Sequence, residues 1–240
     1  MKFGVVVFLS MLLSNAMLVN AETNEVPLPE ERVFKETTVE IRRLLSIEPQ
    51  AGIPYRETIK QLETQQSRFD ELYRTLSNFL KEFPNSVYAD DAAFLLAQIG
   101  PVNMKLTHLD VLINRYPEGR LEKWSIENLS SLLPISTPQA PERLGLLTLA
   151  RFERAHTLSG QHQYEDSNRG MWEFINQFTH LEEQDLKEIP QVAFAYMTLE
   201  RNYIALKDNK GLERVYRDAT TRLPTSSLKD YFANKAGIIQ

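Results

Sequence analysis

The chain has 240 residues, 27 Lys and Arg against 32 Asp and Glu for a formal charge of −5, 42% hydrophobic residues and no cysteine. A mildly acidic chain without a concentrated basic patch gives no support to nucleic-acid binding, so nucleic acid is not an expected partner. The lack of cysteine excludes a disulfide framework, a thiol nucleophile and a lipid anchor on cysteine, and leaves an ordinary hydrophobic core to hold the fold.

The first stretch, "MKFGVVVFLSMLLSNAMLVNA", has one positive charge at Lys2, an apolar run from Val5 to Leu13, and Val19 and Ala21 before the polar "ETNE". That order of features predicts a secretory signal peptide over residues 1–21, cleaved after Ala21. The apolar run is short of the roughly 20 residues a spanning helix needs. Cleavage would leave 26 basic and 32 acidic residues, because the segment carries only Lys2. What remains is long enough for one large domain or two small ones.

From Glu31 to Leu45 the apolar residues Val33, Phe34, Val39, Ile41, Leu44 and Leu45 recur at helical spacing. "EPQAGIP" then breaks the chain. Residues 56–82 contain no Gly or Pro, and an apolar stripe through Ile59, Leu62, Phe69, Leu72, Leu76 and Phe79 predicts one long helix, or two meeting near Gln65 and Gln66. Pro84 ends this segment. Asn85 and Ser86 are candidate caps for the next helix, with Asp90 and Asp91 in its first turn. "PNS" is thus a stop and a start in one, and Ala89, Ala92 and Ala93 allow close approach of the second helix. Gly100 and Pro101 close it.

The same punctuation returns. "LDVLINRYPEGRLEKWS" (109–125) repeats the pattern of "LSNFLKEFPNSVYADDA" (76–92) at an offset of 33, "RLPTSSLKDYFANKAG" (222–237) repeats the corner, and "MWEFINQFTH" (171–180) is a weaker copy without the proline. Helical hairpins recurring about every 34 residues have the period of tetratricopeptide repeats. "FLKEFPNSVYADDA" resembles the divergent tetratricopeptide-like repeats of bacterial envelope proteins, such as the outer-membrane assembly lipoproteins and the periplasmic coordinator of the Tol–Pal system. "LSGQHQYEDSNRGMWEFINQF" is similar to the earlier part of such a repeat, with Gly160 at the inter-helix turn and Ser167 near the usual small position. The resemblance implies an all-α fold, a right-handed solenoid of tetratricopeptide-like hairpins. N-terminal repeats would occupy residues 22–133 and C-terminal repeats residues 142–240. Between them Pro134, Pro138 and Pro141 preclude a continuous helix over 134–141, which reads as a stiff loop within one solenoid or as a boundary.

Little in the sequence carries chemistry. No pair among His108, His156, His162 and His180 has the spacing of a zinc helix, and His156, His162, Glu165 and Asp166 straddle the Gly160 turn, so no metal site is expected. Asp90 with Asp91, and Glu182, Glu183 and Asp185, are paired acids. Adjacent residues on a helix diverge, however, and do not form the opposed carboxyl groups of a glycosidase. No phosphate loop, nucleophile elbow or dinucleotide fingerprint is present. No catalytic residue and no cofactor is expected. Trp124, Trp172, Tyr88, Tyr164, Tyr196, Tyr203 and Tyr216 could line a peptide groove, but their helical spacing favours packing between repeats.

The resemblance places Arg151, Arg154, Arg201 and Asn202 on the first helices of two repeats, the helices that line the concave surface in tetratricopeptide proteins. These four are the candidate partner-binding residues, with a solvated convex face as the competing assignment. The expected function is a non-enzymatic, periplasmic or otherwise exported scaffold or adaptor whose partner is another envelope protein or peptide segment. Peripheral membrane association and oligomerisation stay open. The alternatives are a cell-wall glycan hydrolase, which needs a deep cleft with two opposed carboxylates, and an oligomeric structural protein, suggested by Ile238 and Ile239 at the C-terminal end.

Overall fold

The computed structural model describes residues 28–45, 55–119, 125 and 145–239, and every regular element among them is helical. The expected signal segment 1–21, the proline-rich stretch 134–141, Trp124 and the side chains of Ile238 and Ile239 lie outside the described residues.

Helix α1 (Pro29–Leu45) has acids in its first turn and Arg42 and Arg43 in its last, so its charges oppose the helix dipole at both ends. Phe34, Ile41 and Leu44 form its buried face. Thr37 and Thr38 share that face because each hydroxyl donates to the carbonyl one turn back, Val33 and Phe34 respectively. The Phe34 ring stacks on Tyr88 at 4.7 Å between centroids and meets Phe79 at 5.8 Å, joining α1 to the next corner.

Helix α2 (Tyr55–Glu82) is continuous. The Gln65–Gln66 patch does not divide it: Gln66 donates to Asp70 one turn on (3.0 Å), and no Gly or Pro interrupts the backbone ladder. At the corner that follows, helix α3 spans Ala89–Ile99 and begins later than the candidate caps suggested. Asn85 and Ser86 do not cap it; Ser86 Oγ instead accepts from the Tyr88 backbone at 3.3 Å and holds the turn. Asp90 and Asp91 lie in the first turn as expected, but Asp91 does more than face the helix dipole. It is fully buried and accepts from the Ser125 hydroxyl at 2.8 Å, 34 residues later. Nearly all of α3 is buried, as expected for a helix apolar on every side.

A 3₁₀ turn (Val102–Met104) leads to α4 (Lys105–Arg115), which buries Leu109 and Leu112. Tyr116, from the second corner, donates its hydroxyl to the carbonyl of Pro84 in the first (3.3 Å). Corner thus sits on corner, 32 residues apart in the chain.

Helices α5 (Leu146–Gly160) and α6 (Tyr164–Asn176) form a hairpin. Its tight link places His162 at φ 62°, in the left-handed region, while Gln163 N–H returns to the Leu158 carbonyl at 2.9 Å. The contacts Thr148 with Gln177, Phe152 with Phe174, and Ala155 with Gly170 run in antiparallel register. Gly170 marks the closest approach: a Cβ there would lie 2.8 Å from the Ala155 Cβ, which is fixed to its own backbone and cannot rotate away. Gly170→Ala should therefore destabilise. Overpacking costs about 1–3 kcal/mol, against about 1 kcal/mol gained in helix propensity. The expected result is a lower thermal midpoint, and an unchanged or higher one would show that the hairpin can open without cost.

A short helix α7 (Glu183–Lys187) leads to α8 (Pro190–Leu206), with Pro190 in its first turn where no N–H is needed. Helix α8 packs on both α5 and α6. It ends at Lys207 (φ 56°), after which the Asp208 carboxylate accepts from Gly211 N–H at 3.0 Å and caps α9 (Asn209–Arg222). The "LPTSS" corner stops α9 and starts α10 (Ser227–Ile239), and Glu183 of α7 accepts from Thr225 N–H to pin it (2.9 Å). Phe232 of α10 is fully buried between Tyr196 and Tyr216.

Candidate functional site

Helix α8 has two apolar stripes. The first, Val192, Ala195, Tyr196 and Leu199, is buried against α5, α6 and α9, with the polar Asn202 buried in line with it. The second, Phe194, Met197 and Ile204, is 46–55% exposed, and Arg201 falls in line with it. At 3.6 residues per turn these four positions lie within about 80° of arc on the side opposite the buried stripe. Together with Phe152 and His156 of α5 and Tyr231 of α10 they border a groove of about 590 Å³. Its lining is mostly apolar, and the exposed apolar side chains of α8 are contiguous in it rather than scattered.

The two carboxylates that line the groove are both held by neighbouring side chains. Glu153, nearly buried, takes the Lys105 ammonium at 2.7 Å. Glu200 accepts from both Tyr216 (2.9 Å) and Tyr231 (2.8 Å) through one oxygen. Burial, then the bond to Glu200, pushes the Tyr216 hydroxyl far above its ordinary range, and for Tyr231 the bond to Glu200 is the larger cause. Both remain donors at any ordinary pH. Burial of part of the His156 ring lowers its pKa, and the opposing pull of Glu153 does not restore it, so a neutral imidazole faces the groove. Gln191, which also lines the groove, is 2% exposed, and its side-chain oxygen finds no partner among the described residues.

The four sequence candidates divide. Arg201 borders the groove, with one guanidinium nitrogen donating to Ser159 at 2.7 Å and no ion pair among the described residues. Arg151 is exposed on α5 and likewise makes no ion pair among the described residues, but it does not line the groove. Arg154 is tied to Asp110 of α4 at 2.6 Å and acts between helices. Asn202 must be corrected: it is fully buried and cannot touch a partner. Its amide accepts from Ser159 and donates to Ser167 and Asn168, each at 2.9 Å, which makes it the centre of a polar junction among α5, α6 and α8.

The other candidates for chemistry are dispersed. His162 is bonded to the Tyr164 hydroxyl at 2.7 Å, Asp166 pairs with Arg169, and His156 lies against Phe152. Among the described residues no three metal-binding side chains converge. Trp172 is buried between Tyr196 and Tyr203, with the Arg214 guanidinium 4.1 Å above its ring. Tyr196 is fully buried and donates to Asp218 at 2.6 Å. These aromatics pack helices together and do not line the groove.

Phe194, Met197, Ile204 and Tyr231 were not singled out by sequence. The available signal was the second stripe on α8, out of phase with the first. Among the described residues no helix is long and apolar enough to cross a membrane. Comparison with family models, with curated proteins and with solved structures found no match for this chain.

Proposed function

We propose that this protein is a non-enzymatic, exported scaffold or adaptor, a right-handed solenoid of tetratricopeptide-like hairpins that binds a segment of another envelope protein in the groove of α5, α8 and α10. The repeat assignment draws support from contacts that recur at about one repeat length: Tyr73 with His108, Tyr116 with Pro84, Asp91 with Ser125, and Ser167 with Asn202. It is supported too by the way α8 packs on both helices of the preceding hairpin. The observation that carries the binding role is the exposed apolar stripe of α8, set on the floor of a concave surface. Stacked hairpins leave such surfaces to polypeptide ligands. Glu153 and Glu200 also face this groove, but each is engaged by neighbouring side chains, so a pair of opposed free carboxylates, as a glycan hydrolase needs, is not the favoured reading.

The test is capture of partners from a crosslinked envelope extract by the wild-type protein and by a Phe194→Glu, Ile204→Glu double variant. Both positions are more than half exposed, so the helical circular dichroism should not change. A polypeptide recovered by the wild type and reduced at least tenfold with the variant is the expected result. Equal recovery by both proteins, or recovery of glycan alone, would overturn the groove as the binding surface.

A further inference from the structure

Phe194, Met197, Arg201 and Ile204 are spaced three, four and three residues apart. That is the spacing of a helix-pairing seam, in which each side chain inserts between those of a facing helix. On α8 the seam faces outward into the groove, with the α5 side chains on one flank and Tyr231 of α10 on the other. An extended strand turns every second side chain to the same face and would match this three- and four-residue spacing poorly. A facing helix matches it, because its own apolar residues recur at the same interval.

Two further observations constrain the occupant. One member of the seam is Arg201, whose guanidinium donates to Ser159 and has no carboxylate partner among the described residues. A polar residue at one seam position fixes register and partner, because an apolar residue opposite would leave the charge poorly solvated. Gln191, which lines the groove, holds a buried acceptor with no partner among the described residues. A second copy of this chain is a poorer occupant, because a two-fold contact would set groove against groove and leave both unfilled.

We infer that the groove binds an amphipathic helix of another protein, laid along α8, with large apolar residues at three- and four-residue spacing, a carboxylate opposite Arg201 and a hydrogen-bond donor near Gln191. This rests on the groove being a polypeptide-binding surface, as proposed above, and adds the conformation and charge of the ligand.

The experiment is selection of binders to the purified full-length protein from a displayed library of random 20-residue peptides, with the Phe194→Glu, Ile204→Glu variant as counter-selection. The expected winners carry the helical apolar spacing with one acidic residue, are helical when bound, and lose at least tenfold in affinity when that acid is changed to lysine. An Arg201→Glu protein should reverse the preference and bind the lysine peptide more tightly. Winners that depend on Phe194 but alternate with period two, or contain interior prolines, would overturn the helix while leaving the groove as a binding surface. Winners indifferent to the acid-to-lysine exchange would overturn the pairing with Arg201. If no winner depends on Phe194 and Ile204, the inference and the binding surface beneath it both fail. Self-association of the wild type, lost in the double variant, would replace the partner helix with a second copy.

Discussion

Replacing Asn202 with leucine should lower the unfolding free energy by about 3 kcal/mol, although the two side chains are close in size. The cause is what remains behind. Ser159, Ser167 and Asn168 are all at most 6% exposed, and each now exchanges a hydrogen bond with the Asn202 amide. A buried polar group left without its partner costs about 1–3 kcal/mol. Ser159 would still accept from Arg201 and a serine hydroxyl can turn to its own helix, so the three penalties should add only in part. Leucine returns some apolar burial, which offsets about 1 kcal/mol or more. Chemical denaturation of wild type and variant measures the difference. A loss below about 1 kcal/mol would mean that the junction is not what sets α8 against α5 and α6.

Replacing Phe232 with alanine should be as severe locally, and its consequence should reach the groove without touching it. The ring is fully buried, 6.2 Å from Tyr196 and 6.1 Å from Tyr216 between centroids. Removing a buried phenylalanine typically costs about 3–5 kcal/mol. Helix α10 packs chiefly on α9, so this energy should be lost from the docking of one helix before it is lost from the whole fold. With α10 released, Tyr231 leaves Glu200 and the groove loses a wall. The expected result is loss of amide protection across residues 227–237 with protection of α5, α6 and α8 retained, together with weaker binding of a groove ligand. Global unfolding in place of local release would show that α10 is part of one cooperative core.

The sequence made the helices and corners legible for a physical reason. Pro84, Gly100 and Pro224 interrupt strongly periodic stretches, and each sits at a helix end in the structure. The placement of individual polar residues was harder. Asn202 and Asp91 are buried because serines from neighbouring helices satisfy them, and those partners are 34 to 43 residues away in the chain. A single polar residue on an amphipathic helix is assigned to solvent by default, and only tertiary contact reverses that. The corner at Pro84 shows the same limit on a smaller scale: Ser86 has the chemistry of a cap, but the turn directs it to Tyr88 N–H.

The groove was missed because its lining residues have the chemistry of core residues. Phe194, Met197 and Ile204 are indistinguishable in type from Val192, Tyr196 and Leu199, and only the phase of the helix separates the exposed stripe from the buried one. Arg201 was named for another reason: the resemblance put it on the first helix of a repeat. Arg154 has the same chemistry, yet Asp110 happens to face it.

The central claim is that the concave stripe of α8 meets another polypeptide, and site-specific photocrosslinking in the cells that make the protein tests it most directly. A photoreactive amino acid at Met197, which is 46% exposed in the groove, is compared with the same group at Lys210 on α9, which lines no part of it. The account expects a discrete heterologous crosslink from position 197, absent from position 210 and suppressed by Ile204→Glu. Crosslinks of equal yield from both positions, or only to a second copy of the same chain, would contradict it.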